Sequence, residues 1–82
     1  MQNEMKNDGY YTTDLYFAAY LQVAGAPMRE PIRQGPRVSF VFNSDVVNIP
    51  ELRTAWFNKT GKVAALEYAN SIKNLKHLCH MP

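Results

Sequence analysis

The residues of this chain that can do chemistry are few and mostly cationic. Lys73, Lys76, His77 and His80 fall at i, i+3, i+4 and i+7, the spacing of one helical stripe. Lysines so placed can meet the phosphates of a nucleic-acid backbone, and histidines titrate near neutral pH. The plainer reading is that cations near a helix C-terminus complement its dipole. Arg29, Arg33 and Arg37 form a second basic group, and Lys59 and Lys62 a third. The candidate phosphate-contacting set is therefore Arg29, Arg33, Arg37, Lys59, Lys62, Lys73 and Lys76.

Other chemistries find less support. His77, Cys79 and His80 contain ligand types for zinc, but a structural site usually needs four ligands, and the chain has one cysteine and two histidines. No metal or other cofactor is expected. Thr60-Gly61-Lys62 precedes a helix but lacks the Gly-x4-Gly-Lys-Ser/Thr phosphate loop, which argues against nucleotide hydrolysis. The first amides of that helix can still bind one phosphate or carboxylate. Asp14, Glu51 and Glu67 lie on separate elements, and no nucleophile–base pair is visible, so an enzyme is not expected.

Charge is unevenly spread. Residues 1–50 carry Lys6, Arg29, Arg33 and Arg37 against Glu4, Asp8, Asp14, Glu30 and Asp45. Residues 51–82 carry Arg53, Lys59, Lys62, Lys73 and Lys76 against Glu51 and Glu67, a net of +3. The whole chain is only mildly basic, with a pI near 8.8. The positive field thus sits in the C-terminal part, where it can attract an anionic partner.

The elements that must position these groups follow from spacing. Residues 1–9 read as a polar, flexible lead-in and residues 10–82 as one domain. "YYTT" suits an extended segment, after which Thr12 or Thr13 can cap the helix "DLYFAAYLQVA", with Gly25 and Pro27 ending it. That helix is apolar nearly all round, with Tyr16 and Tyr20 at i, i+4. It calls for either dimerisation or an unusually central position.

Pro27 and Pro31 reduce the next segment to an edge strand or an irregular one. Gln34-Gly35-Pro36 signals a turn into the strand Arg37–Asn43. Pro50 opens a second helix, "PELRTAWFNK", with Leu52, Ala55 and Trp56 inward, and Ile49 falls in the loop before it. The third helix spans about 62–80. Its apolar stripe is Ala65, Tyr68, Ala69, Ile72, Leu75, Leu78 and Cys79, with Ser71 on the opposite side. The expected fold class is α+β, a small antiparallel sheet of two to three strands with three helices, in the order (β)-α-β-β-α-α.

"YTTDLYFAAYLQVAG", "RVSFVF", a short helix ending in "WFN" and "KVAALEYANSIKNLKHL", in that order, resemble a family of small bacterial and phage proteins catalogued as a domain of unknown function. The resemblance covers roughly residues 10–79, and the chain departs from the pattern at "APMREP". It implies a compact accessory domain in a mobile-element setting, and no catalytic residues.

The strand "RVSFVFNS" invites comparison with the RNA-recognition strand, whose exposed aromatics stack bases. The match fails where Arg37, Val38 and Asn43 stand. Alternation instead puts Val38, Phe40 and Phe42 on a core face. Arg37, Ser39, Val41 and Asn43 are left on an open face, which Arg29 and Arg33 can join to make a hydrogen-bonding surface for phosphate.

The aromatics Tyr16, Phe17, Tyr20, Trp56 and Phe57 are candidates for a protein interface, and one of Trp56 and Phe57 is expected to be exposed. The sequence thus points to a small non-enzymatic binding protein, expected to act as a homodimer in the cytoplasm. DNA or RNA is the first candidate partner. The alternative is a host or phage protein, met by a phage or mobile-element inhibitor or accessory subunit. No membrane span is expected.

Overall fold

The computed structural model describes residues 9–80. The order is β1 (Gly9–Thr12), α1 (Leu15–Val23), β2 (Ile32–Gln34), β3 (Arg37–Asn43), α2 (Ile49–Phe57) and α3 (Ala65–Cys79). This is the expected α+β arrangement, and "YYT" does supply a third strand. The lead-in up to residue 8 lies outside the described residues. Gly9 already belongs to the sheet, paired with Asn43.

The three strands are antiparallel in the order β1-β3-β2, so the chain's most strand-like stretch is central. The β2–β3 connection is the two-residue turn Gly35-Pro36, with Gly35 at a φ of 63° that glycine reaches without a steric penalty. Pro31 interrupts the ladder on the β2 edge. Beyond it, Met28 bridges back to Phe42, and the Asn43 amide donates to the Pro27 carbonyl at 2.9 Å.

Helices cover one face of the sheet. Phe40 and Phe42 are fully buried there and pack with Leu21, Ile49 and Leu75, joined by Tyr10, Met28 and Val38. The apolar first helix takes the central position. Phe17, Ala18, Ala19, Tyr20 and Leu21 are all buried within one chain, and α1 packs chiefly on α3. Dimerisation is not needed to cover this helix.

Local chemistry sets the helix ends. Asp14, rather than either threonine, caps α1: its Oδ1 accepts from the amides of Tyr16 and Phe17 at 3.0 and 3.1 Å. Thr12 contributes one step earlier, its Oγ1 accepting from the Asp14 amide. Asn48 caps α2 by accepting from the Glu51 amide.

Both α1 and α2 end in the same way. After α1, the amides of Gly25 and Ala26 return to the carbonyls of Gln22 and Leu21. After α2, those of Lys59 and Thr60 return to Trp56 and Ala55. The pattern needs a left-handed residue just past each helix. Gly25 supplies it at φ 106°, and Lys59 occupies it at φ 61° without glycine's freedom.

Several core assignments differ from the sequence reading. Ile49 opens α2 and is buried, so it belongs to the core and not to a loop. Ala65 and Ala69 of α3 are exposed, while Ser71 is buried and donates its hydroxyl to Oε1 of Gln22. Placing Gln22 against α3 brings its polar group to Ser71, so this side of α3 needs a small hydroxyl. Tyr20 stacks on Phe17 (centroids 6.1 Å apart, 27° between planes) and does not pair with Tyr16.

Candidate nucleic-acid interface

Sheet register decides which arginines share a surface. Arg33 pairs with Val38, and Gln34 with Arg37, so Arg33 lies on the helix-covered face and Arg37 on the open one. This corrects the expected open-face cluster. The Arg33 guanidinium reaches under the sheet to the end of α3. It donates to the carbonyl oxygens of Leu78 and, at 3.3 Å, Cys79. Those carbonyls stand at the negative end of the helix, where the His80 amide reaches back to Leu78 but no i+4 amide follows within the helix, so a cation that also donates hydrogen bonds suits them. Arg33 is committed to structure. The signal was in the sequence: a two-residue Gly-Pro turn fixes Arg33 opposite Val38.

On the open face, Arg29 donates from its side chain to Oδ1 of Asn43, and its amide donates to the Val41 carbonyl at 2.7 Å. Val41 is only 3% exposed although it lies outside the main core cluster. Tyr11 pairs with it on one side, and the Arg29 amide donates to its carbonyl on the other. Tyr11 and Ile32 remain exposed. The open face is therefore mixed, with Arg29 and Arg37 among apolar groups, and is not a continuous basic surface.

The Arg33 tie has a second consequence. It holds the β2–β3 turn against the C-terminal end of α3. Arg37 and Cys79 both line a cleft of about 390 Å³ there, with Thr13, Leu15, Pro36, Val38 and Phe40. Lys73, Lys76, His77 and His80 are all exposed on α3 leading to this end. Both converging segments lack acidic residues: none occurs from Pro31 to Ser44, nor from Tyr68 to the last residue. Arg37 at the hairpin tip and Lys76 and His77 in the last turn of α3 thus stand toward one end of the molecule, with Arg37 on the open side of the sheet and Lys73 two turns back along the helix. Lys76 and His77 also stand in the last turn of α3, where they complement its dipole.

Lys59 and Lys62 lie elsewhere, on the α2–α3 connection, at the opposite end of α3. Of the five aromatics marked for an interface, Phe17 and Tyr20 are buried. Trp56 is half-buried against them, with ring centroids 5.5 Å from Phe17 and 5.2 Å from Tyr20. Phe57 is the exposed member of its pair, at 66%, with the Arg53 guanidinium 5.3 Å above its ring. Tyr16 is exposed as well, and its carbonyl accepts from the Tyr68 hydroxyl at 3.2 Å. Burial, with smaller contributions from the negative charge of Asp14 and from Tyr16, holds the Tyr68 phenol above its usual range.

A family model described as "Domain of unknown function (DUF5659)" matches residues 7–81. The chain belongs to that family. Comparison with curated proteins and with solved structures finds no match.

Proposed function

We propose that this member of the DUF5659 family is a non-enzymatic module that binds DNA or RNA through its phosphate backbone. One observation carries the reading: the Arg33 tie brings an acid-free hairpin tip to the acid-free end of α3. The contacting residues are Arg37, Lys73 and Lys76. Arg29 can extend the surface from the sheet face. Phosphate contacts position a strand without reading its sequence, so binding is weak, weakly selective and salt-dependent.

Electrophoretic or fluorescence-polarisation titration with a mixed-sequence oligonucleotide at low salt tests this. Arg37→Glu, Lys73→Glu and Lys76→Glu together should abolish binding, with only a small fall in melting temperature from the acidic side chain placed in the last turn of α3. Equal binding by the triple variant would overturn the reading.

A second reading rests on Phe57 and on Leu66, the latter 74% exposed. Exposed large apolar side chains are contact candidates, either for a second copy of the chain or for a host or phage protein. On this reading the domain is a cytoplasmic accessory subunit or inhibitor from a phage or mobile element. Capture of a partner that survives nuclease treatment and is lost in Phe57→Ser supports it. Among the described residues no helix is long and apolar enough to cross a membrane.

A further inference from the structure

A second cleft, of about 450 Å³, opens between α1, the end of α2 and the start of α3. Its walls are Tyr20, Trp56, Lys59, Gly61, Val63 and Tyr68. That volume falls in the range of small-ligand sites. Tyr20 is only 4% exposed, yet its hydroxyl has no hydrogen-bond partner among the described residues. The hydroxyl end faces the cleft wall at Gly61, where an added Cβ would stand 2.6 Å from Oη. A buried phenol without a partner is costly unless something in the cleft completes it.

The charged side of the cleft is equally specific. Lys59 is held at its rim by the left-handed turn that ends α2. Val63 and Tyr68 flank the N-terminus of the fifteen-residue helix α3, where Ala64 offers no capping side chain. The first amides of α3 thus lack a side-chain acceptor from the cap residue, and Lys59 and Lys62 precede them. Glu67, exposed in the first turn, is the acidic side chain on that helix. The Lys59 ammonium suits a phosphate oxygen, while two aromatic walls suit a flat ring.

We propose that this cleft binds a nucleoside phosphate. Its base packs on Trp56 and Tyr68, a ring nitrogen or carbonyl meets Tyr20 Oη, and its phosphate lies at Lys59. The ligand is either a free nucleotide or one base splayed from a single strand. The site is separate from the basic end: α3 lies between them, about 22 Å long at 1.5 Å per residue. It therefore does not rest on the reading above.

Trp56 is the chain's only tryptophan, so its fluorescence reports from the cleft wall itself. The intact chain is titrated with the four common nucleoside monophosphates, the matching nucleosides, inorganic phosphate and a short single-stranded oligonucleotide. The expected result is a saturable change in Trp56 emission with a monophosphate. Nucleoside or phosphate alone should bind about tenfold more weakly, one ionic contact's worth. Tyr20→Phe should weaken binding about three- to tenfold, the range of one hydrogen bond. Lys59→Gly should weaken it about tenfold with the melting temperature equal or higher, because glycine relieves the left-handed backbone.

A response to the oligonucleotide and not to monophosphates, lost in the same variants, assigns the ligand to a strand and supports the proposal. Oligonucleotide binding with no Trp56 response would overturn it while leaving the basic end intact. No saturable response to any ligand, or one unmoved by both variants, would also overturn it.

Discussion

The guanidinium of Arg33 donates to the main-chain carbonyl of Leu78, 45 residues away, and so ties the hairpin to the last turn of α3. The contact meets carbonyls at the end of the helix, and it fixes which cations share a surface. Arg33 is exposed, so solvent competes for the contact and Arg33→Ala should cost up to about 1 kcal/mol, read from the midpoint of urea unfolding. Arg33→Lys should recover part of that, since lysine lacks the planar fork. A loss of nucleic-acid binding in Arg33→Ala with no loss of stability would instead place Arg33 on the binding surface.

The buried pair of Ser71 and Gln22 joins α3 to α1. Ser71→Ala leaves the Gln22 amide oxygen without this donor and should cost about 1–2 kcal/mol. Ser71→Leu should cost more, because α1 and α3 are close there and overpacking adds strain. Thermal melts of the two variants rank them. Equal stability of wild type and Ser71→Leu would mean that the interface has room the structure does not show.

The left-handed residues after α1 and α2 give opposite predictions. Gly25 sits at φ 106°, outside the range L-residues favour, so Gly25→Ala should destabilise by about 1–3 kcal/mol. Lys59 already bears such a cost at φ 61°, so Lys59→Gly should stabilise by up to about 1 kcal/mol. Chemical denaturation of both variants checks the signs.

Tyr68 sets an alkaline limit. Its phenol titrates above its ordinary value of 10.0, chiefly through burial and then through Asp14 and Tyr16. The folded state thus favours the neutral phenol. The associated stability is fully present below the unfolded-state value and is lost as pH rises through the higher folded-state value. Melting temperatures should therefore fall above about pH 10. Tyr68→Phe, which also loses the bond to the Tyr16 carbonyl, should start lower and show a shallower alkaline fall.

Much of the architecture was legible because periodicity and stop signals are local. Gly25, the Gly35-Pro36 turn and Pro50 bounded the elements, and the alternation of Val38, Phe40 and Phe42 identified the core face. What failed were facts of tertiary geometry. Ser71 looked polar and outward, but Gln22 on α1 gives it an inward partner. Val41 looked open, but Tyr11 and the Arg29 backbone flank it. The grouping of basic residues failed for a different reason. The turn length was legible, and carrying the register back from it would have separated Arg33 from Arg37. The Tyr20 cleft had no sequence signal, since Gly61 and Tyr68 meet Tyr20 only through the packing of α1 against α3.

The most direct test of the basic end is the salt dependence of oligonucleotide affinity. Each phosphate contact contributes a slope of about −0.7 on single strands and about −0.9 on duplex in log affinity against log salt. Wild type should show a slope of about −2 to −3 from Arg37, Lys73 and Lys76, and the single Lys73→Glu variant a slope shallower by about 0.7–0.9. A flat wild-type dependence, or an equal slope in the variant, would contradict the account.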